Sequence, residues 1–354
     1  MNPQPILRET GNLDLRETTM RVVRGENLSR IEAASFLDAL LDPSATDTQI
    51  AAALIALTSK GETVEELAGM AEAMRERATP LHSRHERFID TAGTGSSAAK
   101  RFNVSTAAAF VIAGAGLPVA KHGARAASST SGSADVLEAL GVNTAAAPDI
   151  VERCLNDHGI CFIFAPLFHR ATARVARVRR DLGVHTTFNL LGPLTNPARA
   201  PFQLVGVWDH SLVKRVASAL ALLGVKQAWV VHGADGLDEV TITGETFVAA
   251  CSVRAGVKTF TISPEDFGLQ RRSVTQRREG PIENARVTRA ILDREKTGDF
   301  AVARDLVVIN AAAALYLAGA ANDFQNATAM ACKSIDSGQA ASKLEALIRE
   351  TNRS

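Results

Sequence analysis

Apolar residues spaced three and four apart begin at Leu28, and their pattern predicts three successive amphipathic helices before residue 80. Ser29 caps the first, which sets Ile31, Ala34, Phe36, Leu37 and Leu40 along one face. Pro43-Ser-Ala-Thr-Asp47 breaks that helix. Thr46 or Asp47 then caps Gln49 to Ser59, with Ile50, Ala53, Leu54 and Leu57 on one stripe. Gly61 stops the second helix, and Thr63-Val-Glu-Glu66 has the form of a capping box for a third that runs to about Arg77. Residues 1–18, polar and carrying Pro3 and Pro5, read as an arm ahead of this helical unit.

After Pro80 short apolar runs alternate with longer Ala-rich segments. Phe88-Ile-Asp-Thr91, Pro118-Val-Ala120, Ile160 to Ala165 and Ala228 to His232 read as buried strands. Thr106 to Gly114, Ser133 to Leu140 and Leu212 to Leu223 read as helices between them. A basic helix, Ala171 to Arg180, and a loop, Asn189 to Pro197, interrupt the alternation. Further strands are expected at Val240 to Thr243 and Val257 to Ile262. Helices follow at Ala285 to Ile291, Val302 to Ala318 and Asn322 to Leu347, the last broken at Gly338. The expected fold class is α/β: a small N-terminal all-helical domain plus a large domain with a mainly parallel central sheet flanked by helices.

With 354 residues, 46% hydrophobic and 22% charged, the chain has the balance of a soluble two-domain protein. Aromatics are only 5%, so Ala, Val, Leu and Ile must build the core. A net charge of +1 offers no electrostatic reason for nucleic acid or membrane as principal partner. The cysteines, Cys154, Cys161, Cys251 and Cys332, form no C-x-x-C pair and are expected as buried free thiols in a reducing compartment. The first residues are polar, unlike a secretory signal, and the apolar run from Ala107 to Ala120 is short and Gly-interrupted, so no span is expected and the cytoplasm is the expected location.

Two Gly/Ser-rich stretches carry the candidate chemistry: Asp90-Thr-Ala-Gly-Thr-Gly-Ser-Ser97 and the segment from Lys121 to Asp135. Each follows a strand and leads into a helix, an arrangement that presents N–H groups, hydroxyls and a helix start to phosphate. Two such loops imply a ligand with more than one phosphate. Asn103-Val-Ser-Thr106 sits where a helix begins and faces the same ligand, although ordinary capping by Ser105 or Thr106 also accounts for it. Lys121, His122 and Arg125 add positive charge beside Ser128, Ser129, Ser131 and Ser133. Neither a P-loop nor a dinucleotide fingerprint is present. Asp238 and Glu239 follow a strand end, where a divalent ion would be held by carboxylates and phosphate oxygens; a solvated turn is the plainer alternative. No nucleophile signature appears and the histidines do not cluster along the chain, so no catalytic residue is expected beyond positioning and electrostatic stabilisation.

The motifs Gly-Thr-Gly95, Asn103-Val-Ser-Thr106, Lys121-His-Gly123, Ser131 to Gly141, Asn189 to Pro197 and Asp235-Gly-Leu-Asp-Glu239 occur in one order. In that order they make the chain resemble the anthranilate phosphoribosyltransferase family of tryptophan biosynthesis, over about residues 20–350. The resemblance implies Mg²⁺-dependent transfer of phosphoribose from phosphoribosyl pyrophosphate (PRPP) to the amine of anthranilate, by a homodimer formed through the helical domain. It implies domains at 19–82, rejoined by a segment at about 166–200, and at 83–165 with 201–354. PRPP contacts would fall on Gly93, Ser96, Ser97, Arg101, Asn103, Val104, Ser105, Thr106, Lys121, His122, Gly123, Arg125, Ser128, Ser129 and Ser133. Anthranilate would meet Gly93, Ala124 and Arg179, and the metal would meet Ser105, Asp238 and Glu239. An Arg fork suits a carboxylate, although Arg179 also lies in a basic run that reads as a solvated face.

Three positions depart from the family pattern: Ser96-Ser97 replaces Gly-Asp, Arg101 replaces Thr or Ser, and Ala124 replaces an Asn. Losing that amide would weaken acceptor binding by about 0.5–1.5 kcal/mol. Ala124 and Ser97 keep open a paralogue, or a nucleoside phosphorylase, using another aromatic or heterocyclic acceptor. A non-catalytic ligand- or nucleic-acid-binding protein rests only on the Arg170–Arg180, Arg271-Arg272 and Arg277-Arg278 runs, which dispersed surface arginine also explains.

Overall fold

The computed structural model describes residues 14–95, 97, 99, 102–126, 131–253, 255–273 and 280–353. Four helices come first: α1 (Leu15–Val23), α2 (Arg30–Leu41), α3 (Asp47–Lys60) and α4 (Val64–Arg77). Ser29, Thr46 and Thr63 each cap a helix and receive a reciprocal bond from Glu32, Gln49 and Glu66. Glu66 does more than cap. Its buried carboxylate accepts the Thr63 N–H at 2.7 Å, the Leu28 N–H at 2.8 Å and Lys60 Nζ at 2.8 Å, tying three connections together. The arm expected through residue 18 is in part helix. Asp14 accepts the Arg16 N–H at the start of α1, and Leu15, Thr18, Thr19 and Val22 are buried. Thr19 is tolerated there because its hydroxyl donates to the Leu15 carbonyl at 2.6 Å.

The larger part continues as β1 (Ile89–Gly93), α5 (Val104–Gly114), β2 (Val119–Gly123), α6 (Ser133–Ala139), α7 (Pro148–His158) and β3 (Ile160–Phe164). A helical excursion follows: α8 (Ala165–Phe168), α9 (Ala173–Leu182) and α10 (Thr187–Leu194). The sheet resumes with β4 (Phe202–Gly206), α11 (Ser211–Leu222), β5 (Gln227–Gly233), β6 (Thr246–Ser252) and β7 (Gly256–Ile262). It is closed by α12 (Pro281–Leu292), α13 (Asp299–Leu317), α14 (Phe324–Asp336) and α15 (Gln339–Thr351), with Gly338 left-handed between the last two.

The sheet order is β3-β2-β1-β4-β5-β6-β7. The first five strands pair in parallel and the last two pairings, β5 with β6 and β6 with β7, are antiparallel, which is the mainly parallel sheet expected. Chain order reverses between β1 and β4, so the crevice above their C-terminal ends is the switch point where ligands collect in such sheets. One face packs against α5, α13, α14 and α15. The other face, through Val205, Val207, Val230 and α11, shares a continuous apolar core with the four N-terminal helices and α10.

Several local expectations change. Val240 to Thr243 is not a strand, because side chains take its backbone and hydroxyl bonds: Asn310 pairs with Val240, and Thr241 and Thr243 both donate to Asp235 at 2.9 Å. Strand β6 forms just beyond it. The loop expected at Asn189 to Pro197 is largely α10, in which Pro193 sits one residue from the helix end and interrupts little. Gln203 hid β4 from the pattern, yet its amide is buried and donates to the Pro193 carbonyl at 3.0 Å. Phe300–Leu317, within α13, is long and apolar enough to cross a membrane by length and composition, contrary to the reading that no run is; here it is a core helix packed between α5 and α14.

Helices α2 and α4 cross in near contact at Gly69, where a Cβ would lie 2.0 Å from the Arg30 carbonyl oxygen. Gly69→Ala should therefore destabilise the chain by about 1–3 kcal/mol despite alanine's helix propensity. A urea midpoint equal to the parent's would contradict the contact.

Candidate functional site

The site is assembled at the β1/β4 switch point, where Gly93 and Gly206 stand side by side in register. Thr94 folds over the end of β4, its N–H donating to the Gly206 carbonyl at 2.9 Å while its hydroxyl accepts the Trp208 N–H at 3.2 Å. A Cβ on Gly206 would lie 1.7 Å from the Asp238 carbonyl oxygen, so the backbone of Asp238 rests directly on that glycine. The turn delivering it is braced by Asp235, which accepts the Leu237 N–H at 3.2 Å and both threonine hydroxyls. Asp238 is buried, and Glu239 Oε1 accepts the Ser105 N–H at 3.1 Å, in the first turn of α5. A carboxylate at that end of a helix is favourably placed.

Positive charge faces this pair. Lys121, in the middle of β2, is buried and donates to the Thr91 carbonyl and to Ser105 Oγ at 3.3 Å. Its neighbour Asp90 accepts the His122 N–H at 3.1 Å and the Asn196 amide at 2.8 Å. Burial pushes the Asp90 carboxyl up to about 6, against the pull of Lys121 and the Asn196 bond. Asn103 accepts the Asn284 amide at 2.9 Å and donates to the Ser131 carbonyl at 3.4 Å. Gly123 lets α6 approach, since a Cβ there would lie 3.2 Å from Ser133 Cβ. Arg125 pairs with Glu138 at 2.6 Å and Asp135 at 3.2 Å.

The opposite wall comes from α9 and α10. The basic run there divides. Arg174 and Arg177 bind Asp47 on the surface, whereas Arg179 turns into the cleft. Its Nε donates to Thr186 Oγ1 and its Nη2 to Asn189 Oδ1, each at 3.0 Å, with the guanidinium 5.6 Å from the Phe188 ring centre. Burial lowers it to about 10, which leaves it charged at neutral pH. With Nε occupied, a carboxylate must be met end-on by the two terminal nitrogens. Met74, Pro166, Ala176, Phe188 and Pro193 supply apolar surface beside it. The cleft is open to solvent.

Of the residues expected from the sequence, Gly93, Asn103, Ser105, Lys121, His122, Gly123, Ala124, Arg125, Ser133, Arg179, Asp238 and Glu239 all line this one cleft. Three do not. Ser97 donates its hydroxyl to the Gly236 carbonyl at 2.7 Å, Val104 is in the core, and Thr106 is spent on Ser133 Oγ at 3.2 Å. Asn103, rather than Ser105 or Thr106, occupies the cap of α5 and makes no side-chain capping bond. Ser96, Arg101, Ser128 and Ser129 lie outside the described residues. Met74, Pro166, His169, Phe188 and Asn189 also line the cleft, and the Asn189 to Pro197 motif was their only signal in the residues.

The histidines, dispersed in sequence, meet in space: the His122 and His169 rings are 5.2 Å apart in the cleft wall. Burial holds His122 down to about 3, with His169 beside it adding to the effect, and His169 down to about 4. Cys154, Cys161 and Cys251 are buried and Cys332 half-buried. Burial raises Cys154 to about 12 and Cys251 to about 11, so neither is a thiolate nucleophile. Among the described residues no group of three or more His, Cys, Asp and Glu could hold a metal unaided. Asp238, Glu239 and the Ser105 hydroxyl are hard oxygen donors that suit Mg²⁺ completed by water and phosphate.

Residues 16–78 match the glycosyl transferase family helical bundle domain, and residues 85–341 its a/b domain. An anthranilate phosphoribosyltransferase of Moorella thermoacetica is 51% identical over 335 residues, 94% of this chain and 97% of the relative. The crystal structure of the Thermus thermophilus anthranilate phosphoribosyltransferase superposes with a TM-score of 0.87 at 39% identity, covering 96% of this chain and all of that one. That of Saccharomyces cerevisiae, in complex with PRPP and Mg, superposes with a TM-score of 0.86 at 29% identity, covering 95% of this chain and 97% of that one.

The buried histidines make stability depend on pH. An unfolded histidine titrates near about 6.5, so both contribute stability that is present above that pH and lost as pH falls toward their folded values. Asp90 acts oppositely: its contribution is present below the ordinary carboxylate range and lost as pH rises through about 6. Two histidines outweigh one carboxyl, so the urea midpoint should fall from pH 7 to pH 5. His169→Gln should remove up to about 2 kcal/mol of that fall. A variant that keeps the full slope contradicts the assignment.

Proposed function

The chain belongs to the glycosyl transferase family and, within it, to the anthranilate phosphoribosyltransferases, and from that premise we propose that its reaction runs in the cleft at the β1/β4 switch point. It transfers phosphoribose from PRPP to the amine of anthranilate, with Mg²⁺ as cofactor and pyrophosphate as the leaving group. The observation that carries the placement is the meeting of Glu239 with the Ser105 N–H beside Lys121, which brings metal-binding carboxylates to a phosphate cradle.

In this assignment the start of α5, with Asn103 and Ser105, and the cation Lys121 hold the phosphates of PRPP. Asp238, Glu239 and Ser105 hold Mg²⁺. Bound there, the metal neutralises charge on the departing pyrophosphate. Arg179 receives the anthranilate carboxylate end-on, and Phe188, Pro166 and Met74 flank the ring. The bond from ribose C1 to pyrophosphate breaks, the bond from C1 to the amine nitrogen forms, and the amine releases a proton to solvent. An arylamine is already unprotonated at neutral pH, so no general base is required. Ala124 leaves its part of the cleft wall without a side-chain hydrogen bond to the acceptor.

The helical domain would also pair two copies of the chain. Met20 and Val23 on α1, Ile31 on α2 and Ile55 on α3 are exposed large apolar side chains there, 40–60% accessible. The cytoplasm fits the free cysteines.

Incubation with PRPP, Mg²⁺ and anthranilate should extinguish anthranilate fluorescence, and persistence of the signal at every acceptor concentration would refute the activity. Lys121→Ala should raise the KM for PRPP on the order of tenfold or more, the scale of a charge-assisted bond, with anthranilate binding little changed. An unaltered KM would remove Lys121 from the donor site. Sedimentation equilibrium should return twice the chain mass; a single-chain mass at micromolar concentration would refute pairing.

A further inference from the structure

Helix α13 contributes one polar side chain to the stretch Leu306-Val-Val-Ile-Asn-Ala-Ala-Ala-Ala-Leu315. That residue, Asn310, is 1% exposed. Its Oδ1 accepts the Val240 N–H at 2.9 Å, and its Nδ2 donates to the Val240 carbonyl at 2.9 Å and the Leu306 carbonyl at 2.8 Å. Both backbone polar groups of Val240 are therefore held by one rigid amide anchored in a core helix. Val240 directly follows Asp238 and Glu239. On the other side of the same segment, the Asp238 carbonyl lies against Gly206 with no room for a side chain.

We propose that Asn310 is a positioning residue for donor binding: with Gly206 it clamps the 238–240 segment from two sides and sets where the Asp238 and Glu239 carboxylates stand. The inference rests on the assignment of those carboxylates to Mg²⁺ and PRPP. Asn310 itself touches no substrate and does not line the cleft. Freed of the amide, the segment would satisfy Val240 by shifting, and Glu239 would leave the Ser105 N–H.

Calorimetric titration of PRPP into the full chain at several Mg²⁺ concentrations tests this, alongside anthranilate titration without donor and thermal unfolding. Asn310→Ala should weaken PRPP binding on the order of tenfold or more and move the Mg²⁺ midpoint upward with it, while anthranilate affinity stays within about twofold. Asn310→Ser, whose shorter hydroxyl can bond the Leu306 carbonyl of its own helix but does not reach Val240, should resemble Asn310→Ala. Gly206→Ala, pressing on the same segment from the strand side, should give the signature of Asn310→Ala.

PRPP affinity and Mg²⁺ dependence within about twofold of the parent in a folded variant would overturn the proposal. So would equal weakening of both ligands, or failure of all three variants to fold, since either marks a purely structural residue. A parent chain that takes up no PRPP contradicts the functional assignment instead.

Discussion

At the end of β4 the Asp238 carbonyl oxygen fills the space where any residue but glycine would carry a Cβ, 1.7 Å from that point on Gly206. This approach lets a loop leaving β5 cross the switch point and lay its carboxylates against the start of α5. The rest of the site follows from where those charges fall. Two carboxylates and a buried lysine face one cleft, an arrangement that holds an anion with its own counter-ion better than either alone. Asp90 and Asn196 support it from below, linking the strand that carries the first loop to the segment after α10.

The wall built by α9 and α10 depends on a different part of the chain. Arg75 of α4 is half-buried, and desolvation lowers it to about 10, with Arg199 adding to the effect. Its guanidinium bonds the Leu194 carbonyl at 2.7 Å, at the C-terminal end of α10, where a cation complements the helix dipole. Helix α10, which carries Phe188 and Asn189, is thereby tied to the helical bundle, while Asn196 just beyond it is tied to the sheet. The cleft spans the junction of the two cores, so its walls come from both. Chemistry of this kind needs no nucleophile, and the protonated buried cysteines supply none.

Much of this was legible in the residues. The caps at Ser29 and Thr63, the choice of Thr46 or Asp47 between them, and the stop at Gly338 are local rules, and local rules decide helix ends. The Gly/Ser motifs after β1 and β2 pointed to the cleft that Gly93, Gly95, Lys121, Gly123 and Ser133 line. The illegible parts depend on distant partners. Gln203 is compatible with a core strand only because the Pro193 carbonyl lies opposite, and Val240 to Thr243 looked like a strand because the pairing of Val240 with Asn310 is far away in sequence. Ser97 and Thr106, expected as PRPP contacts, bond the protein itself. Phe188, Met74 and Pro166 carried no signal, since an apolar residue in a ligand wall reads like one in a core.

The central claim is a location, and a crystal structure of the chain with PRPP and Mg²⁺ tests it most directly. The account requires the pyrophosphate between the start of α5 and Lys121, with the metal bridging it to Asp238 and Glu239. Density for the donor elsewhere, or a pyrophosphate turned away from both carboxylates, would contradict it.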